Sequence, residues 1–269
     1  MNAFPISAAF GLIMLAAQTS TCAEELLSAS EDLVDLTHSF DEDTIYWPTE
    51  PGFKLEKESA GVTDKGYYYA SNRFATAEHG GTHIDAPIHF YADRETVDQI
   101  PLWRLIGPAV CVDVSGRCAV DRDYLISVED LQAWEAKTGK SLKDKIVLLR
   151  TGYSQYWPNR EKYLGTSATG REAVAQLHFP GLDPVAADWL VTKRNIRAVG
   201  IDTASIDRGQ SSEFGSHVRL CEASVPAMEN VADLDHLPTH GFTIIALPMK
   251  IAGGSGGPCR IVAVVEPSE

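Results

Sequence analysis

The sequence predicts an α/β fold in a single domain, with mixed β-sheets and helices packed outside them. Three observations predict it. Short β-branched apolar runs recur along most of the chain, two capped helices lie between them, and no repeat or low-complexity linker divides the 269 residues. At 44% hydrophobic residues, a chain of this length can bury a sizeable core.

The first 23 residues carry no charged side chain. Their apolar run from Ala8 to Ala17 is too short to span a bilayer but fits the central region of a signal peptide, with small residues before a cut near Ala23. Residues 1–23 are therefore expected to be a leader and residues 24–269 the folded domain. The protein would then be secreted or periplasmic, with no membrane attachment after the leader is removed. The leader lacks Lys and Arg, which leaves a buried amino-terminal helix as the alternative. A lipid anchor at Cys22 is opposed by Thr19, where such signals carry an aliphatic residue.

Strands are expected at 33–37, 67–77, 109–115, 146–151, 197–202, 242–251 and 260–266. One helix follows Ser127 as a cap, with Asp130 three places on, and runs through Leu131 and Trp134 to Lys137 before Gly139 stops it. The other starts at Asp183-Pro184 and ends on Lys193 and Arg194, charges that suit a helix carboxyl end. Residues 153–180 show neither period, as expected of a lid or substrate loop, or of surface decoration.

A formal net charge of −14 without any basic run gives the wrong sign for binding nucleic acid or an anionic membrane. Beyond the leader lie Cys111, Cys118, Cys221 and Cys259. A disulfide between Cys111 and Cys118 across a tight connection is one reading, and four free thiols the other. No paired-cysteine spacing for a zinc module occurs.

Three of the eight histidines fall within eleven residues, with an aspartate among them: His79, His83, Asp85 and His89. All four positions are odd-numbered and would share one face of an extended segment, whereas a helix would turn Asp85 by roughly 240° from His79. Gly80, Gly81 and Pro87 also oppose a helix. Imidazole nitrogens and a carboxylate together suit Zn²⁺, Mn²⁺ or Fe²⁺, and hydrolysis is the natural use of such a site. No nucleophile elbow surrounds Ser205 or Ser255, which disfavours a serine hydrolase.

The run His79-Gly-Gly-Thr-His83-Ile-Asp85-Ala-Pro87-Ile-His89-Phe90 resembles the HxGTHxDxPxHF signature of the cyclase-like metal hydrolases, which include bacterial kynurenine formamidases and isatin hydrolases. It matches at every fixed position. Weaker agreement covers Asp35 to His38, Tyr46-Trp47-Pro48, Leu247 to Ile251 and Gly253 to Pro258. The resemblance implies a swivelling β/β/α fold, metal ligands at His79, His83 and Asp85, and an acid/base group at His89. It further implies ligands at His217 and Glu229, which have the family's twelve-residue spacing, and an aromatic platform for substrate at Trp47. One or two divalent ions per subunit, Mn²⁺ or Zn²⁺, and a homodimer or higher homo-oligomer are also implied.

The activity so implied is hydrolysis of a small aromatic amide, either N-formylkynurenine to kynurenine and formate or isatin to isatinate. The leader and the longer middle segment depart from the cytosolic formamidases. A catalytically silent metal-binding or regulatory protein of the same fold remains an alternative, as does a metal-dependent lactonase or esterase.

Overall fold

The computed structural model describes residues 33–266, so the expected leader, residues 1–23, lies outside the described residues. Its core is one mixed sheet closed on itself. Strands β1 (Leu33–Asp35), β4 (His83–Asp85), β5 (Ile106–Asp113), β7 (Ile146–Arg150), β9 (Ala198–Ile201), β10 (Ala227–Glu229), β11 (His240–Pro248) and β12 (Gly256–Val265) follow the order β1-β12-β11-β5-β7-β9-β10-β4. A further pairing of β4 with β12 closes the sheet into a barrel-like ring, with β1 added outside it on β12. The strands β5, β7, β9 and β10 run parallel, and the others pair antiparallel.

Period-two alternation divides the core into two. Ile146, Leu148, Ala198, Met228, Ile84, Ile244, Ile261 and Ala263 point to one face and pack together. Their neighbours Val147, Leu149, Val199, Ile201 and Ala227 form the opposite face with residues of the helices. Burial on both sides is why β7 and β9 read as continuous apolar runs rather than alternating ones.

Among the described residues three helices have eight residues or more: α1 (Val128–Thr138), α2 (Pro184–Arg194) and α3 (Gly215–Glu222). The first two start and stop where the sequence marks them. Ser127 and Asp130 form the capping box, Gly139 ends α1 at φ 66°, and Asp183 caps α2 with proline in its first turn. Helix α3 has no such sequence mark, because its cap comes from a distant side chain described below.

Residues 153–180 are not surface decoration. They contain a helical turn at Tyr153–Tyr156 and short helices at Arg160–Leu164 and Arg171–Val174, and they bury Tyr163, Leu164, Leu177 and Phe179 in the core. Trp157 stacks on His38 with ring centroids 4.1 Å apart. The four cysteines in the described part are free and buried, so the Cys111–Cys118 disulfide is not formed.

Strands β2 (Lys54–Val62) and β3 (Tyr68–Ala75) form a hairpin apart from the main sheet. Every residue of β2 and all but one of β3 are exposed. The sequence reading found β3 but missed β2, whose KLEKESAGV has no alternation because neither face is buried. A two-residue pairing of β6 (Leu125–Ile126) with β8 (Gly181–Leu182) completes the strands.

Candidate metal centre

The site is built on β4, the strand that closes the ring. Ile84 enters the apolar face, so His83 and Asp85 must both point to the other. In the neighbouring β10, Met228 likewise points inward, which turns Glu229 to the same outer face directly opposite His83. Two three-residue strands thus bring three polar side chains together, each at most 4% exposed.

The extended reading of the whole cluster holds only for His83 to Asp85. His79 precedes a turn in which Gly81 adopts φ 57°, and His89 ends a helical turn at Pro87–His89. Turns on both sides of β4, rather than one flat face, fold these two imidazoles back towards Asp85.

The resulting contacts centre on Asp85. Its Oδ1 lies 2.6 Å from His79 Nδ1 and 3.2 Å from His83 Nε2, and its Oδ2 lies 3.0 Å from His217 Nε2. Glu229 Oε1 is 3.0 Å from His217 Nε2, and Oε2 is 3.5 Å from His83 Nε2. Donor atoms form two clusters that share Asp85, one of His79, His83 and Asp85 and the other of Asp85, His217 and Glu229. His217 comes from α3, which the sequence linked to Glu229 only by spacing.

The donors fit a divalent ion. His83 Nδ1 is taken up by the carbonyl of Gly81 at 2.9 Å, leaving Nε2 buried without a hydrogen-bond partner and aimed among carboxylate oxygens. An orphaned imidazole nitrogen beside two buried carboxylates is costly as a bare core and ordinary as a ligand set. Nitrogen and oxygen donors without a thiolate suit a borderline or hard divalent ion.

Electrostatics tie the group together. Burial alone would raise the Asp85 carboxyl, but His79, His217 and His83 outweigh it and hold it well below the usual carboxylate range. Burial and the charge of Asp85 push Glu229 up, against the pull of His217. His217 lies well above the ordinary imidazole value because Asp207, Asp85 and Glu229 outweigh its desolvation. His89 is pushed down to about 4 by burial, with Asp85 raising it and His79, His217 and His83 lowering it further. A neutral His89 imidazole at physiological pH is able to accept a proton.

His89 stacks on His79 at 3.8 Å between centroids and lines a cavity of about 550 Å³. The cavity is walled by Trp47, Phe90 and Phe214 and floored by His79, His83, His217 and Glu229. Phe214 lies 6.5 Å from Trp47 and 5.4 Å from Phe90 between ring centroids. Phe214 was not read from the sequence, which gives no sign that a left-handed residue (φ 49°) at the start of α3 faces the site.

Of the two aspartates that follow the expected strand 197–202 closely enough to be aimed at the site, Asp202 and Asp207, only Asp207 reaches it. Its Oδ1 accepts the amide of Ser216 and its Oδ2 the amide of His217, capping α3, while Oδ2 also lies 2.6 Å from His217 Nδ1. One carboxylate therefore sets the helix start and the imidazole orientation together. Asp202 is elsewhere, accepting from Thr151 and Gly152.

Residues 34–208 match the Cyclase family profile. The chain belongs to the cyclase family. It is 31% identical to the isatin hydrolase of Roseibium aggregatum over 256 residues, 90% of this chain and 94% of that protein. The kynurenine formamidase of Bacillus cytotoxicus is 28% identical over 248 residues, 90% of this chain and all of that protein. The solved structure of isatin hydrolase A from Ralstonia solanacearum superposes with a TM-score of 0.81 at 31% identity, covering 93% of this chain and 100% of that one. The named relatives are hydrolases, and a solved structure 25% identical over 87% of this chain is described as a potential metal-dependent hydrolase with cyclase activity, so the family is one of metal-dependent hydrolases.

Proposed function

We propose that this cyclase-family chain hydrolyses a small aromatic amide, with isatin as the first candidate and N-formylkynurenine as the second. The observation that carries the reading is an aromatic-walled cavity whose floor is the carboxylate–imidazole cage. Similarity to an isatin hydrolase and to a kynurenine formamidase supports both substrates, which share a planar ring beside the amide.

His79, His83 and Asp85 would hold one divalent ion, Mn²⁺ or Zn²⁺, and Asp85, His217 and Glu229 a second. Such an ion supplies Lewis acidity, polarising an amide carbonyl and easing the ionisation of water near neutral pH. Trp47, Phe90 and Phe214 would orient the substrate ring and exclude water from its faces. His89 would take the proton of the attacking water on its free ring nitrogen and return it to the leaving nitrogen as the carbon–nitrogen bond breaks.

Purified protein loaded with Mn²⁺ or Zn²⁺ should open isatin to isatinate or release formate from N-formylkynurenine. A loaded protein that cleaves neither, while turning over lactones or esters, would move the reading to the lactonase or esterase class. One that binds ions but turns over nothing would favour a silent metal-binding protein.

A further inference from the structure

The far nitrogen of each candidate imidazole ligand is held by a different device. For His83 it is the Gly81 carbonyl and for His217 the Asp207 carboxylate. For His79 it is a relay: Nε2 lies 2.9 Å from Ser255 Oγ, and Ser255 Oγ donates to Glu78 Oε2 at 2.6 Å. The Ser255 amide donates to the same oxygen at 3.0 Å, and the Ser255 carbonyl accepts from Ala86, one residue past Asp85. Ser255 is thereby clamped between the residue before His79 and the end of β4.

Directionality follows from hydrogen-bond chemistry. The Ser255 hydroxyl has a single proton, and Glu78 Oε2 takes it. The hydroxyl can then only accept from His79, so His79 carries its proton on Nε2. Its Nδ1 lone pair is left facing Asp85 at 2.6 Å, on the side of the cage. His79 has most need of such support, with its side chain 23% exposed against 3% for His83 and 5% for His217. The glycine after Ser255 also serves this approach, since a Cβ at Gly256 would stand 2.5 Å from His79 Cε1.

We propose that Ser255 and Glu78 are positioning residues that fix the His79 ring and its tautomer, so that Nδ1 joins His83 and Asp85 in holding an ion. This rests on the metal reading above. The test strips the full chain with a chelator and titrates Zn²⁺ back against a chromogenic competitor, with circular dichroism and melting as controls for folding. Ser255→Ala and Glu78→Ala should each weaken one of the bound ions about 10–100-fold, the usual cost of losing an outer hydrogen-bond partner, and Ser255→Thr should restore most of it. Long-range ¹H–¹⁵N spectra of the Zn²⁺-loaded wild type should place the His79 proton on Nε2. Wild-type affinity in folded alanine variants, or a proton on His79 Nδ1, overturns the proposal. Should both alanine variants fail to fold, the spectrum decides alone. A wild-type chain that takes up no ion overturns the metal reading and this inference with it, whereas an ion bound equally by all variants overturns this inference only.

Discussion

Glu229 stands directly opposite His83 in the antiparallel pairing of β10 with β4, and the same carboxylate accepts the amide of Ile206 at 2.7 Å. Its position is thus fixed by a ladder register and a backbone bond. Glu229→Gln keeps the shape and the Ile206 bond but lowers the charge of the cage. Elemental analysis should show about one fewer ion per chain. Turnover should fall by more than the ~10–100-fold typical of an outer partner. Full ion content in a folded variant would remove Glu229 from the ligand set.

His89 stacks on His79 and lines the cavity. His89→Ala should lower kcat about 10²–10⁴-fold, the range for removing an acid/base group, with ion content unchanged. Parallel loss of ions would make His89 a ligand instead.

The caps of α1 and α2 were legible because each helix signals its own ends within a few residues, as Ser127 and Asp130 do for α1. The cluster from His79 to His89 was legible because its groups are close in sequence. Strand β4 was legible only as the middle of that extended cluster, and β10 was not legible at all, since three residues are too few to show a period. The partners of Asp207 and Ser255 were hidden for another reason. Asp207 meets His217 ten residues away through the start of α3, and Ser255 meets His79 across 176 residues through closure of the ring. Only tertiary structure gives those polar groups their partners.

Asp207→Asn separates capping from orientation. The amide oxygen can still accept from Ser216, but an amide NH₂ facing His217 Nδ1 would force the opposite tautomer and put the proton on Nε2, the atom that faces Asp85 and Glu229. Metal affinity should fall about 10–100-fold while the helix content stays. Isothermal titration of the metal-free protein measures the first and circular dichroism the second. An affinity equal to wild type would leave Asp207 as a cap alone.

The β2–β3 hairpin should be covered by a second copy of the chain. A lone two-stranded ribbon is marginal in water, and here Leu55, Tyr69 and Phe74 are each about half exposed. Lys54, Glu56, Lys57, Glu58 and Arg73 supply both signs of charge for a two-fold self-pairing, and the hairpin runs straight into Thr76, Ala77 and Glu78 of the cavity wall. Light scattering should give at least twice the chain mass, and a Leu55→Ser, Phe74→Ser double variant should shift it towards monomer. A monomeric wild type would refute this expectation.

His38 gives a pH dependence whose sign can be worked out. Burial lowers its pKa from 6.5 to about 4, and Nε2 has no hydrogen-bond partner while the ring lies flat on Trp157. Between those two values the unfolded chain binds a proton that the native chain does not, so stability falls as pH drops through 6.5 and levels off below about 4. At ~1.4 kcal/mol per pKa unit the loss is of order 3 kcal/mol. His38→Phe keeps a ring on Trp157 and removes the titration. Melting temperatures of the two proteins should therefore diverge in favour of the variant from pH 7 down to pH 4, on top of the acid losses they share through Asp85 and Asp207. Parallel curves across that range would show that His38 takes up its proton without resistance from the fold.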